Sequence, residues 1–193
     1  MSADDRLRWD RQHAESSGPE EASSFLREIC TGEHWQIPTG RALDVACGKG
    51  RNALFLAVQG FDVTALDVSA VALSEGQRRA EEKDLRITWL EIDLEKDRLP
   101  GTGYDLIVDF NYLQRALLPQ IKAAVRLGGF VVFETYLIDQ QKIGHPKNPA
   151  YLLAHNELLN AFGDFRVLFY REGKFADGRE PSFRAGILAQ KLT

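Results

Sequence analysis

From residue 41 onward, short apolar runs alternate with stretches of helical periodicity. The runs at 41–45, 62–66, 86–92, 104–108 and 130–134 have the length and β-branched or aromatic content of buried strands. Between them, apolar spacing predicts a helix over 52–59 with Gly60 as its stop, and a helix capped by Ser69 that runs to about residue 83. A further helix carries Leu117, Leu118, Ile121, Ala124 and Val125 and is expected to stop at Gly128-Gly129. Ahead of the first strand, a polar stretch reads as a short helix and a loop. A helix from Pro19 follows, with Glu20 and Glu21 in its first turn and Ala22, Phe25, Leu26 and Ile29 as its apolar face. Residues 136–154, with Pro146 and Pro149, read as a long irregular loop, followed by a helix near 156–162. Two β runs at 165–170 and 183–190, joined across Asp177-Gly178, predict an antiparallel hairpin.

Strands alternating with helices place the chain in the α/β class, with a parallel sheet covered on both faces. In such sheets ligands bind at the carboxyl ends of the strands. Asp44, Asp67, Asp93 and Asp109 fall at or just after the ends of the first four strands and so line one rim. Leu43-Asp44-Val45-Ala46-Cys47-Gly48-Lys49-Gly50-Arg51-Asn52-Ala53 reads as a strand, an acid, a glycine turn and the start of a helix. That arrangement brings backbone N–H groups and a helix N-terminus close to a small ligand. A carboxylate at Asp44 is unsuited to phosphate and points to a ligand with positive charge or amine groups. Asp67 follows the turn at roughly the spacing (~20 residues) at which an acid accepts the hydroxyls of a ribose.

Gly48-x-Gly50-x-x-Ala53 also satisfies a relaxed dinucleotide fingerprint, which would suit an NAD-dependent oxidoreductase. Asp44 and the closing hairpin count against that reading. A nucleoside triphosphate loop is excluded because Gly50, not Ser or Thr, follows Lys49.

Composition narrows the classes further. The 193 residues are 44% apolar and 27% charged, with a net charge of −4, ordinary for one globular domain. There is no Lys/Arg-dense stripe suited to nucleic acid, no apolar run of membrane-spanning length and no apolar leader at the N-terminus. Cys30 and Cys47 form no C-x-x-C pair, and His13, His34 and His155 have no ligand-like spacing, so no metal is expected. A reduced, cytoplasmic setting fits these features.

With those residues in view, the chain resembles the class I S-adenosylmethionine-dependent methyltransferases. Residues 43–50 look like their first motif and Val63-Thr64-Ala65-Leu66-Asp67-Val68-Ser69 like their second. Asp93-Leu94 matches the adenine-reading position, and Leu127-Gly128-Gly129-Phe130 the turn before strand five. The run 50–57, with 60–64, is similar to the small tellurite-resistance and thiopurine-type methyltransferases. Trp9-Asp10-x-Gln12 looks like their N-terminal cover over the cofactor. The resemblance implies a three-layer, Rossmann-like, seven-stranded, mostly parallel sheet with a C-terminal antiparallel hairpin. It would form one domain, with residues 1–38 as a helical cover and 39–193 as the sheet core. The cofactor implied is S-adenosyl-L-methionine. Backbone groups of Ala46, Gly48 and Gly50 would approach its methionine part, with Asn52 nearby and Asp44 on its ammonium. Asp67 would take the ribose, Val68 pack on the adenine, and Asp93 with Leu94 read the adenine edge. Asp109 and Phe110 would lie on the methionine side, and Trp9 would pack over the cofactor or over the sheet edge.

The implied activity is methyl transfer to a small acceptor: a thiol, an amine or an oxyanion. The alternative is a protein that binds the cofactor without catalysing. Substrate-side candidates are Asn111, Tyr112, Arg115, Glu134, Tyr136 and His145. Arg115 either holds an anionic group or is a solvated helix residue; His145 has a surface reading as well. Lys174 and Arg179 are expected on the exposed hairpin. Asp109-Phe110-Asn111-Tyr112 lacks the two prolines of the amino-methylating DNA enzymes, so DNA is not expected as substrate. The stretch Arg171-Glu172-Gly173-Lys174-Phe175 lacks the His-Arg pair that the tellurite-resistance type carries after strand six.

Overall fold

The apolar runs all become strands of one sheet in the computed structural model, which describes residues 9–11, 13–15, 21–176 and 180–192. In chain order the elements are α1 (Ser24–Thr31), β1 (Arg41–Val45), α2 (Arg51–Val58), β2 (Asp62–Asp67), α3 (Ala70–Glu81), β3 (Ile87–Glu91) and β4 (Tyr104–Phe110). They continue with α4 (Leu118–Ala124), β5 (Val125–Tyr136), α5 (Glu157–Ala161), β6 (Arg166–Phe175) and β7 (Ser182–Gln190). The seven strands lie in the order β3-β2-β1-β4-β5-β7-β6. Strands β1 to β5 pair in parallel, and β7 runs antiparallel to both β5 and β6. The order reverses at β1, so the gap between the carboxyl ends of β1 and β4 is the topological switch point.

Strand alternation sends two sets of side chains to opposite faces. Leu43, Val45, Ile107, Val131 and Phe133 face α4 and α5, joined by Leu117, Ile121, Leu158 and Phe162. Ala42, Val63, Ala65, Leu106, Val108 and Val132 face Phe25, Leu26 and Ile29 of α1 and Ala53 and Leu56 of α2. The predicted apolar face of α1 is thus buried as read, although the helix begins at Ser24; Pro19 and Glu20 lie outside the described residues. The expected N-terminal helix is present in residues 9–11 and 13–15, and the expected Asp177-Gly178 turn lies outside the described residues.

Two local expectations are corrected. Helix α4 ends at Ala124, and Gly128-Gly129 lies inside β5 at a register shift between Tyr104↔Val125 and Leu106↔Phe130. The helix needs no glycine stop because Lys191 Nζ donates to the carbonyls of Lys122 (2.7 Å) and Val125 (2.9 Å). Residues 136–154 are not irregular: 3₁₀ turns form over Ile138–Lys142 and Pro149–Tyr151, and Leu137 bridges Leu153. Buried Gln140 fixes this segment, donating from Nε2 to the His145 carbonyl (3.0 Å) and accepting the Phe183 N–H (2.8 Å). No helix among the described residues is long and apolar enough to cross a membrane.

Candidate active site

The rim is built where β1, β2 and β4 end. Asp44 lies on β1, 1% exposed, on the face that looks toward α2. Its carboxylate accepts the Ala53 N–H, while Oδ2 is buried with no hydrogen-bond partner. Burial pushes Asp44 up to about 7 against an ordinary 3.8. Asp109 on β4 is equally buried, its Oδ1 also lacks a partner, and burial followed by the nearby Asp44 charge raises it well above the usual range. Two buried carboxyls with orphaned oxygens at a switch point carry a desolvation cost that a cationic or hydrogen-bond-donating ligand would offset.

The chain leaves β1 through three left-handed residues, Ala46 (φ 52°), Gly48 (φ 55°) and Gly50 (φ 72°). This conformation aims successive N–H groups away from the strand. Asp67 closes the loop: its Oδ2 accepts the Gly48 N–H at 2.8 Å and its Oδ1 the Ser69 N–H at 2.9 Å. A carboxylate offers about four acceptor positions, so Asp67 still has capacity for a ligand diol. Gly50 has a second reason to be glycine. A Cβ there would lie 2.3 Å from Trp89 Cη2, and one on Gly76 would lie 2.7 Å from the same atom. Trp89 therefore wedges between the loop and α3, so half of the glycine signal reports packing. Gly48 faces the other way, toward the His13 ring.

The N-terminal helix lies across this rim. Asp10 Oδ1 accepts the Ser69 hydroxyl at 2.6 Å, and Trp9 stacks on His13 at 6.0 Å between centroids. Burial lowers the His13 pKa, opposed by Asp67 and Asp10. Farther along, Asp93 is half-buried, accepting from Lys96 Nζ (2.7 Å) and the Glu95 N–H (3.1 Å), with Val68 half-buried and Leu94 buried. Phe110 is buried on the α1–α2 face. Asn52 is placed differently from its expected role: its Oδ1 accepts the Ser23 N–H at 3.0 Å, tying α1 to α2. Asn52→Ala is expected to cost about 1–3 kcal/mol by leaving that buried N–H without a partner, read as a lower denaturant midpoint at unchanged slope.

On the substrate side, Asn111 adopts φ 61° just past β4, and its Oδ1 accepts from Arg184 Nη1 at 2.6 Å. Arg184 also lies over the Tyr136 ring at 4.1 Å and reaches Glu134 at 3.4 Å. Buried Glu134 accepts from Arg171 at 2.8 Å. Tyr112 donates to Gln114 at 2.8 Å, and burial together with Asp109 pushes its phenol up. Two candidates are not brought to the rim. Arg115 is spent on Glu157 (2.6 and 2.9 Å) and on the carbonyls of Ala150 and Leu152, so it braces the 138–157 segment. Arg115→Ala should speed amide exchange across that segment about 10-fold or more, the loss expected for a bidentate charged pair. His145 is exposed, with its carbonyl rather than its ring engaged. Lys174 is exposed; Arg179 lies outside the described residues. Burial raises both cysteines, Cys30 to about 12, so neither is a ready nucleophile. Among the described residues no cluster of His, Cys, Asp or Glu is placed to hold a metal.

The sequence pattern marks Arg51 only as part of the glycine-turn stretch and does not mark Arg184. The missed signal is strand register: once β7 runs antiparallel to β5, Arg184 lies opposite Tyr136 at the ligand rim.

The sheet order, the left-handed loop and the rim of acids are similar to those of class I S-adenosylmethionine-dependent methyltransferases, and residues 42–129, just under half of the chain, match the family described as methyltransferase domain. The chain is similar to TehB of Haemophilus influenzae, described as a probable S-adenosyl-L-methionine-dependent methyltransferase. It is 28% identical to TehB over 139 residues, covering 68% of this chain and 48% of TehB. The crystal structure of that TehB superposes with a TM-score of 0.68 at 26% identity, covering 80% of this chain and 58% of the other. A methyltransferase structure from Clostridium acetobutylicum shares the fold over 97% of both chains, at a TM-score of 0.67 and 15% identity. The chain spans about half the length of the curated relatives it matches (48% of TehB). The family fold and class imply S-adenosyl-L-methionine as cofactor, and the orphaned, buried acid at Asp44 fits its ammonium.

Proposed function

We propose that this chain transfers a methyl group from S-adenosyl-L-methionine to a small-molecule acceptor: a thiol, an amine or an oxyanion. The observation that carries the reading is Asp44 Oδ2, buried and unpartnered beneath a left-handed glycine loop. In its ionised form such a group is balanced by a cationic or strongly donating ligand. Bound there, the cofactor would supply a methyl group on a sulfonium, already activated for displacement.

The residues of the chain then bind, orient and exclude water. Asp44 would hold the ammonium, with the backbone of Ala46, Gly48 and Gly50 beside the methionine part. Asp67 would accept the ribose hydroxyls with its remaining lone pairs, while holding the loop through Gly48. Val68 would pack on the adenine, with Asp93 and the Leu94 N–H at its edge, and Asp109 and Phe110 at the methionine end. Trp9, Asp10 and His13 would form the cover within residues 1–38 over the sheet core of 39–193, Asp10 being its tie to Ser69. Tyr112, its phenol pushed up by burial and Asp109, serves as a hydrogen-bond donor at neutral pH, not as a base. Acidic net charge and two unpaired cysteines support a cytoplasmic enzyme without a nucleic-acid or membrane partner.

Calorimetry tests the cofactor assignment through Asp67. Asp67→Ala is expected to weaken S-adenosylmethionine binding by about 1–3 kcal/mol. Unchanged affinity would remove Asp67 from the site. Formation of labelled product from a methyl-labelled donor with a panel of thiols, amines and oxyanions tests transfer itself.

A further inference from the structure

The donor half of the site is acidic, whereas the acceptor half is basic. Two guanidiniums, those of Arg171 and Arg184, converge from β6 and β7 on one buried carboxylate, Glu134 of β5, and the Arg51 guanidinium of α2 lies within the field of this group. Glu134 is already engaged by Arg171 at 2.8 Å; Arg184 Nη1 reaches it at 3.4 Å. Arg184 is only 16% exposed, and it shares the Glu134 carboxylate with the closer Arg171. Tyr136 supports its plane, Asn111 Oδ1 accepts from Nη1, and Ser182 Oγ accepts from Nε at 2.9 Å. Its Nη2 donates to none of the described residues.

Arg51, the first residue of α2, lies within electrostatic reach of Arg184. It is half-buried, and apart from a long contact with the Glu21 carbonyl (3.4 Å) its guanidinium makes no hydrogen bond to the described residues. Burial and the Arg184 charge lower its pKa, against Asp44, Tyr136 and Glu134. Glu134 is shared between Arg171 and Arg184, so with Arg51 the cluster sets three guanidiniums against one buried carboxylate and keeps an excess of positive charge. The rim position matters too: Asn111 and Tyr136 end the strands next to the switch point.

We propose that the methyl acceptor carries a carboxylate at its non-reacting end, and that Arg184 Nη2 and the Arg51 guanidinium bind it between the ends of β4, β5 and β7. This rests on the methyl-transfer reading above. A planar carboxylate matches the exposed edge of a fixed guanidinium, and it sets the nucleophile's distance from the donor. Arg184 is then a specificity residue that discriminates an acid from its amide.

The test uses the protein saturated with S-adenosylhomocysteine, titrated with acetate, propionate and benzoate and with their amides, followed by thermal shift and calorimetry. At least one acid is expected to raise the melting temperature at millimolar concentration, with its amide at least about tenfold weaker. Arg184→Gln should abolish that acid preference while the affinity for S-adenosylhomocysteine stays unchanged. Arg184→Lys should restore part of it. Arg51→Gln, at the half-buried first residue of α2, gives the same reading without removing an ion pair to Glu134, weakening the acid about tenfold. Acids and amides that behave alike, no acid bound at tens of millimolar, or an acid preference that survives both glutamine variants would overturn the proposal while leaving the donor site intact. A protein that does not take up S-adenosylhomocysteine at all overturns the donor reading, and this one with it.

Discussion

Asp44→Asn should weaken binding of S-adenosylmethionine by about 2–5 kcal/mol while making the empty protein more stable. Both effects have one cause. Asp44 is buried, its Oδ2 has no partner, and its pKa stands at about 7 against 3.8 for an exposed aspartate. Because the folded value is the higher one, folding takes up a proton between those limits. The stability this lends is full below pH 3.8 and is lost as pH rises through about 7. At about 1.4 kcal/mol per pKa unit, the penalty of the ionised form at neutral pH is a few kcal/mol. The asparagine variant escapes it: its melting temperature should equal that of the native protein near pH 3, pull ahead between pH 4 and 7, and keep a constant lead above. The ligand reverses the sign. An ammonium requires the ionised carboxylate, so native affinity should fall about tenfold per pH unit below 7 and be flat above. The variant should lose about 2–5 kcal/mol of binding with no such slope. A native affinity independent of pH between 5 and 8 would remove Asp44 from the ammonium.

The largest effect on folding is expected at Gly50. Alanine there meets Trp89 Cη2 at 2.3 Å and Cζ3 at 2.7 Å, at a φ of 72°. The left-handed backbone alone costs an L-residue about 1–2 kcal/mol. Overpacking adds about 1–3 kcal/mol, so Gly50→Ala should lower stability by about 2–5 kcal/mol by chemical denaturation. The two terms separate in a double-mutant cycle. Trp89→Leu should recover the overpacking part and leave the backbone part. If Trp89→Leu recovers nothing, Gly50 is required by backbone conformation alone. Gly48 is a contrast, because its added Cβ would make an ordinary 3.4 Å contact with His13. Gly48→Ala should cost the backbone term only.

The sheet was readable because the central parallel strands β1, β4 and β5 are buried on both faces and so appear as mainly apolar runs, and because each of the first four strands carries an aspartate at or just past its rim. The Ser69 cap was also readable, and its Oγ accepts the Ala72 N–H. Features set by distant residues were not. The end of α4 depends on Lys191, far along the chain, so the local Gly128-Gly129 pair misled. The order within 136–154 depends on one buried glutamine that bonds the backbone of β7. At the site, residue types pointed to the acids, but side-chain partners decided roles. Asn52 turns to α1, and Arg115 is consumed by Glu157. Arg184 became visible only through the register that sets it opposite Tyr136. Even the glycine motif carried mixed information: Gly48 serves the rim, whereas Gly50 also makes room for Trp89.

Titration of the protein with S-adenosylmethionine, in parallel with NAD, by calorimetry at pH 8 and pH 6 tests the central claim most directly. The account predicts saturable one-site binding of S-adenosylmethionine, about tenfold weaker at pH 6, and no binding of NAD. Binding of NAD without S-adenosylmethionine, or of neither at both pH values, would contradict it.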